Sequence, residues 1–340
     1  MPTKQKLRTA TKQEVADALK LVDRKEIPVL PVDPKTFITR DDLRYVPYYK
    51  PGEDGKGIEF DLFEAHSNAI TKLGLVHKLP ICMIGPTGTG KTLAVAAYYS
   101  QTGDPLIQAD CSEGTKKADL IGRFVILDGT VWYQLGILPM GIVVANTTES
   151  GKAGIDLEEV NGLSPAMQKI VNQFLDWRGH IYIPELQRVY SLEPGKSLMI
   201  YATMNPSTYG GTHELNKDFE DRFTPFKVPY PSSEQEFEIL EHDGMPENIV
   251  RSLIQLGMEL RASQASGDLD SSPSPRTNQM FCDAYRVYEA NEKLKDRALQ
   301  LALTHVILNK FQSPKQAETV AGRMQRVFGV NVNANAMDDD

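Results

Sequence analysis

Paired cysteines, clustered histidines, long apolar runs, internal repeats and an excess of positive charge are all missing from this 340-residue chain. The three cysteines, Cys82, Cys111 and Cys282, stand far apart with no CxxC pair. That excludes a disulfide framework and a zinc site of the usual spacing, and predicts a reducing compartment, the cytoplasm. The six histidines are equally scattered, so each is expected to be structural or solvated and not a metal ligand. No apolar run approaches the ~18 residues that span a bilayer, and the polar, basic residues 1–12 lack the apolar stretch of a signal peptide. No membrane insertion is expected. The net charge is -8, whereas duplex-DNA binders usually carry a basic surface. This argues against nucleic acid as a partner, although a local basic channel on an acidic body would escape the argument.

What is present is ordinary for a folded chain: 41% hydrophobic and 24% charged residues, over a length that suits one α/β domain and a smaller second one. Residues 1–59 read as an N-terminal extension laid over the main domain, with a helical pattern from Gln13, a Pro-rich stretch (Pro28, Pro31, Pro34) and a turn at 51–55. From 60 to 230 short apolar runs alternate with helical patterns, which predicts a parallel sheet sandwiched by helices. The expected strands are 81–84, 105–109, 153–157, 198–203 and 224–228. A helix is expected after Asn161, capped by Ser164, opened by Pro165 and striped by Met167, Ile170, Val171, Phe174 and Leu175. Residues 231–330 read as a small all-helical domain, with helices at 233–241, 246–262, 279–292, 295–310 and 314–328 and a surface loop at 263–275. Residues 331–340 read as a disordered tail.

The sharpest motif is Gly85-Pro86-Thr87-Gly88-Thr89-Gly90-Lys91-Thr92, a complete G-x-x-x-x-G-K-[ST] P-loop between an apolar run and a helix former. Its glycines let backbone N–H groups wrap phosphates, Lys91 supplies charge, and Thr92 offers a hydroxyl to Mg²⁺. A hydrolase needs a carboxylate site besides. Residues 154–161 carry one in Glu158-Glu159, where one acid would hold Mg²⁺ through water and the other activate the attacking water. Acidic pairs also occur at solvated helix starts, so the pair alone does not decide.

At this point the residues resemble the MoxR/CbbQ-type branch of the AAA+ ATPases, over roughly residues 60–328. The resemblance rests on Asp119-Leu120-Ile121-Gly122-Arg123-Phe124, on Glu158-Glu159-Val160-Asn161, on Ala202-Thr203-Met204-Asn205-Pro206, on Asp221-Arg222-Phe223 and on Ser274-Pro275-Arg276, in that order. It implies an AAA+ sheet domain followed by a helical lid, with ATP and Mg²⁺ bound. By the same resemblance Thr92 and Glu158 serve the metal, Glu159 is the catalytic base, and Asn205 is sensor 1. Arg222 would be the finger reaching a neighbouring subunit, and Arg276 the sensor 2 residue. The family's aspartate stands here as Glu158, one methylene longer, and Asp156 in a central strand leaves open a register in which it serves the metal. The plainer alternatives are a surface ion pair of Arg222 with Asp221 or Glu220 and a helix-start charge at Arg276.

The resemblance further implies a homo-oligomer, a hexameric ring, that spends ATP on remodelling, activating or maturing a client or adaptor protein, often one with a von Willebrand factor A domain. The alternative is a nucleic-acid-directed AAA+ motor or a restriction-type NTPase subunit. A third reading, a nucleotide switch without hydrolysis, follows from the Glu158 departure, and the P-loop itself does not choose ATP over GTP. Two segments are candidates for gripping a client. One is the insert 124–150, with Val131-Trp132-Tyr133 and the run from Gly136 to Gly141, which could instead pack as core. The other is a hairpin expected between 180–184 and 198–201, which could be purely structural.

Overall fold

A computed structural model describes residues 27–32, 60–73, 79–176, 179–206, 215–241 and 244–332. The expected helix from Gln13, the turn at 51–55 and residues 333–340 of the tail lie outside these.

The chain enters its sheet domain through helix α1 (Phe60–Leu73), which sets Phe63 against the sheet, and then strand β1 (Ile81–Ile84), helix α2 (Lys91–Thr102) and strand β2 (Leu106–Asp110). A one-turn helix α3 (Lys117–Leu120) leads into the hairpin β3 (Gly122–Leu127) and β4 (Thr130–Leu135), followed by α4 (Ile137–Thr147) and β5 (Lys152–Glu158). Helix α5 (Pro165–Leu175) precedes a second hairpin, β6 (His180–Ile183) and β7 (Arg188–Ser191), and then β8 (Ser197–Met204), a short α6 (Lys217–Glu220) and β9 (Thr224–Lys227).

Five of these strands make one parallel sheet in the order β2-β5-β8-β1-β9. The interior strands β5 and β8 are buried almost throughout, the condition of a parallel strand covered on both faces; β8 accordingly reads as a nearly continuous apolar run, while β5 is interrupted by the buried Asp156. One face packs on α4 and α5 through Leu138, Ile142, Val171 and Phe174. The other packs on α1 and α2, where Ala94, Ala96 and Ala97 keep α2 close to the strands. Gly154 fits that approach, since a Cβ there would lie 2.4 Å from the Tyr99 ring.

The five expected sheet strands all form, within one residue at either end. Helix α5 starts at Pro165 and buries Val171, Phe174 and Leu175 as its stripe requires, but Ser164 makes no side-chain capping bond. The second hairpin differs from expectation: 180–183 pairs with Arg188–Ser191, while 198–201 lies inside β8 at the middle of the sheet. A tight turn at 184–187, with Gln187 at φ 52, reverses the chain earlier than the longer apolar run implies.

The insert after Arg123 divides in two. Tyr133, Leu135 and the α4 residues Leu138 and Ile142 join the core, whereas Phe124, Ile126, Leu127 and Val131 stay exposed on the hairpin. Part of the N-terminal extension lies on the same hairpin. Leu30 N donates to Tyr133 O and Tyr133 N to Pro28 O, at 3.0 and 2.9 Å, so residues around Val29 run parallel to β4.

Beyond β9 a second hydrophobic core forms among helices alone: α7 (Ser233–Glu241), α8 (Glu247–Ala265), α9 (Pro275–Glu289), α10 (Ala298–Ala302) and α11 (Pro314–Phe328). Helix α9 begins four residues before the expected start, because Ser274 accepts from Thr277 N and Pro275 takes the first helical position. The stretch 295–310, expected as one helix, passes from 3-10 through α and π to 3-10 geometry. Among the described residues no helix is long and apolar enough to cross a membrane.

Candidate active site

The P-loop leaves the C-terminal end of β1, with β8 on one side and β9 on the other. Gly88 and Gly90 both take left-handed backbone, at φ 77 and 84, a region that glycine enters without strain. Gly90 starts α2, and no side chain caps that start, so the helix offers its positive end to an anion. Two glycines also admit neighbours. A Cβ on Gly85 would lie 2.1 Å from Val228 O, and one on Gly88 2.8 Å from Ser274 Oγ and 3.3 Å from Arg276 Cβ. The loop is thus pressed from one side by the end of β9 and from the other by the start of α9.

Lys91 is buried, and its ammonium donates to Gly85 O and Pro86 O, both at 2.8 Å, and to Asn205 Oδ1 at 3.1 Å. Burial pulls its pKa down to about 8. The nearby Glu159 carboxylate works against that shift and the Arg276 guanidinium works with it.

The acids arrive from β5. Glu158 lies opposite Asp110 of β2, and its Oε2 accepts from Thr92 Oγ at 3.1 Å. Burial raises the Glu158 carboxyl above its ordinary value, with Asp110 and Glu159 adding to the rise and the Thr92 hydroxyl opposing it. Glu159 turns the chain with φ 52 and ψ 48, and its N–H donates to Thr203 Oγ at 3.2 Å. Asp156 points elsewhere: it is fully buried, accepts from Gln108 Nε2 at 3.2 Å, and is pushed up to about 8 by desolvation, with Glu158 adding to the rise. The shift favours its protonated form at neutral pH, within the interior of the sheet.

A hydroxyl and a carboxylate oxygen 3.1 Å apart are hard oxygen donors, which fit a divalent cation of the Mg²⁺ class. No group of three His, Cys, Asp or Glu that could cage a metal exists among the described residues. A cation held by Thr92 and Glu158 would therefore take its remaining ligands from water and phosphate oxygens, the usual habit of Mg²⁺.

Of the residues singled out in the sequence, the P-loop, Glu158, Glu159, Asn205 and Arg276 converge at one end of the sheet. Arg222 does not join them. It precedes β9, whose Thr224 lies level with Ile81 at the far end of β1, about 10 Å of strand rise below the P-loop. Its guanidinium lies 3.9 Å from Asp176 and is partly exposed, so the pairing expected with Asp221 or Glu220 goes instead to the end of α5. The sequence reading overlooked Asn161, which is buried and donates to Asn205 O at 3.5 Å, and Ser274, which sits on Gly88. Both lay within quoted motifs without a role of their own.

Residues 80–223 match the family model described as AAA domain (dynein-related subfamily). The denitrification regulatory protein NirQ of Pseudomonas aeruginosa is 30% identical over 202 residues, 59% of this chain and 74% of NirQ. Protein CbbQ of Hydrogenophilus thermoluteolus is 28% identical over 237 residues, 69% of this chain and 80% of CbbQ. Midasin of Dictyostelium discoideum is 28% identical over 200 residues, 57% of this chain but only 3% of midasin.

Proposed function

The chain belongs to the MoxR/CbbQ-type branch of the AAA+ ATPases, and from that premise we propose that it couples ATP hydrolysis in a hexameric ring to remodelling, activation or maturation of a partner protein. The observation that carries the ring is the split of the site. Lys91, Thr92, Glu158, Glu159, Asn205 and Arg276 meet around one P-loop, while Arg222 sits partly exposed at another level of the same chain. An arginine so placed serves γ-phosphoryl transfer only at a neighbour's site, where such a residue is worth ~10³–10⁵ in rate.

In this reading residues 60–230 form the nucleotide-binding domain and 231–330 the lid. Lys91 and the loop amides hold the phosphates of ATP, and Thr92 with Glu158 holds Mg²⁺, which supplies charge neutralisation there. Glu159 orients and deprotonates the attacking water, Asn205 and Arg276 contact the γ-phosphate, and the work is done in the cytoplasm on a client or adaptor, such as one with a von Willebrand factor A domain.

Affinity capture with Glu159→Gln, ATP and Mg²⁺, with and without nuclease, tests this. Loss of the base with binding intact holds a client. A protein retained after nuclease and released by the added change Lys91→Ala, and which stimulates turnover of the unaltered chain when purified, is the expected result. Nucleic acid retained with no protein would replace this reading with the nucleic-acid motor, and a chain that turns over no ATP at any concentration would leave the nucleotide switch.

A further inference from the structure

Arg261, near the C-terminal end of α8, is largely buried and uses every edge of its guanidinium. Nη1 and Nη2 donate to Glu236 Oε2 and Oε1 on α7 at 2.7 and 2.8 Å. Nε donates to the carbonyl of Pro273 at 3.0 Å, and the guanidinium carbon lies 4.6 Å from the centre of the Tyr230 ring. Asn278 of α9 completes the group, donating from Nδ2 to Glu236 Oε1 at 2.6 Å.

These contacts join three pieces of chain that matter for the P-loop. Tyr230 belongs to the linker between β9 and α7, two residues after Val228, whose carbonyl closes over Gly85. Glu236 lies in the first turns of α7, which Ser232 and Gln235 open with a reciprocal pair of side-chain to backbone bonds. Pro273 immediately precedes Ser274, the residue that packs on Gly88 and starts the helix bearing Arg276. One side chain therefore spans the route from linker to loop, and its planar fork fixes both direction and distance, which a lysine cannot do.

We propose that Arg261 is a positioning residue for ATP hydrolysis, holding the 266–274 loop and the linker in the one arrangement that presents Arg276 to the P-loop. The proposal rests on the reading above that Arg276 acts on the nucleotide. A buried ion pair adds little to stability over a well-packed apolar pair, so stability alone is a poor account of this four-part contact. Placement of a charge at a reacting phosphate is far more demanding, since a displacement of ~1 Å can cost ~10²-fold in rate.

The test is a cycle of turnover measurements on the full chain at fixed concentration: unaltered, Arg261→Lys, Arg276→Ala, and both. Arg261→Lys keeps a positive charge opposite Glu236 but gives up the fork and the bond to Pro273. Its kcat should fall about 10-fold or more while KM for ATP stays within about twofold, and in the Arg276→Ala background it should change kcat by less than about twofold. Equal losses in both backgrounds, or no loss in the first, would overturn the positioning role and leave that of Arg276 standing. Full turnover by Arg276→Ala would instead remove the reading of Arg276 on which the proposal depends. Should Arg261→Lys fail to fold, Arg261→Met with Glu236→Gln removes the buried charges, keeps the Asn278 acceptor, and enters the same cycle.

Discussion

Glu159 occupies a backbone region that costs an ordinary residue about 1 kcal/mol or more, and it does so at the turn where β5 ends. The bond from its N–H to Thr203 and the buried neighbours Val160 and Asn161 hold it there. The Lys91 ammonium feels the charge of the Glu159 carboxylate, and Glu158 faces Thr92. Two adjacent acids thus have different neighbours. Glu159→Gly should relieve the strain, stabilising the chain by about 1 kcal/mol, or roughly 2–4 °C in Tm, while turnover falls ~10²-fold or more. Glu159→Gln should lose turnover with no gain in Tm. Calorimetry and a phosphate-release assay on both variants check this, and a Gly variant that is less stable or still active would contradict it.

At the scale of elements, the P-loop and its flanks were fully legible, because a loop that wraps phosphates needs a strand before it and a helix after it. Parallel strands buried on both faces were legible too, since they leave short, mostly apolar runs, with Asp156 the exception. Pairing of polar-faced strands was not: β7 alternates half-buried and exposed residues, so Arg188–Ser191 carried no strand signal, and the apolar run of β8 drew the hairpin to itself. Arg261 was invisible for another reason. A lone arginine on a helix reads as surface, and its partner Glu236 is 25 positions away in another helix. Asp156 shows the opposite case, an acid whose oddness in a central strand was visible but whose state was not. With its pKa raised to about 8, the folded chain keeps a proton that the unfolded chain loses near pH 4. Its contribution is therefore fully present below about pH 4 and is lost as pH rises toward 8. Asp156→Asn, which retains an acceptor for Gln108, should remove that slope, so its Tm advantage over the unaltered chain should grow from pH 5 to pH 8, by an amount on the order of a few kcal/mol in stability. Parallel melting curves at the two pH values would refute this were the advantage constant.

For the whole molecule the residue to test is Arg222, because in the reading proposed above it serves the site of a second subunit. Its contact with Asp176 is long, and the guanidinium is partly open to solvent, so the pair holds the side chain only weakly. If Arg222 completes a neighbour's site, two defects in different subunits can compensate. Lys91→Ala destroys a subunit's own nucleotide site but leaves its Arg222 intact, and Arg222→Ala does the reverse. Each variant alone should be inactive. Mixed in equal amounts and allowed to exchange subunits, they form interfaces in which an intact site meets an intact arginine, about a quarter of the total in a random heterologous ring. The mixture should therefore recover about a quarter of the turnover of the unaltered chain, and the recovery should vanish on dilution below the concentration at which the ring dissociates. A mixture that stays inactive although the two chains co-assemble, judged by differential tagging and pull-down, would mean that Arg222 works within its own chain or not at all. Full activity of Arg222→Ala on its own would remove the residue from the site altogether.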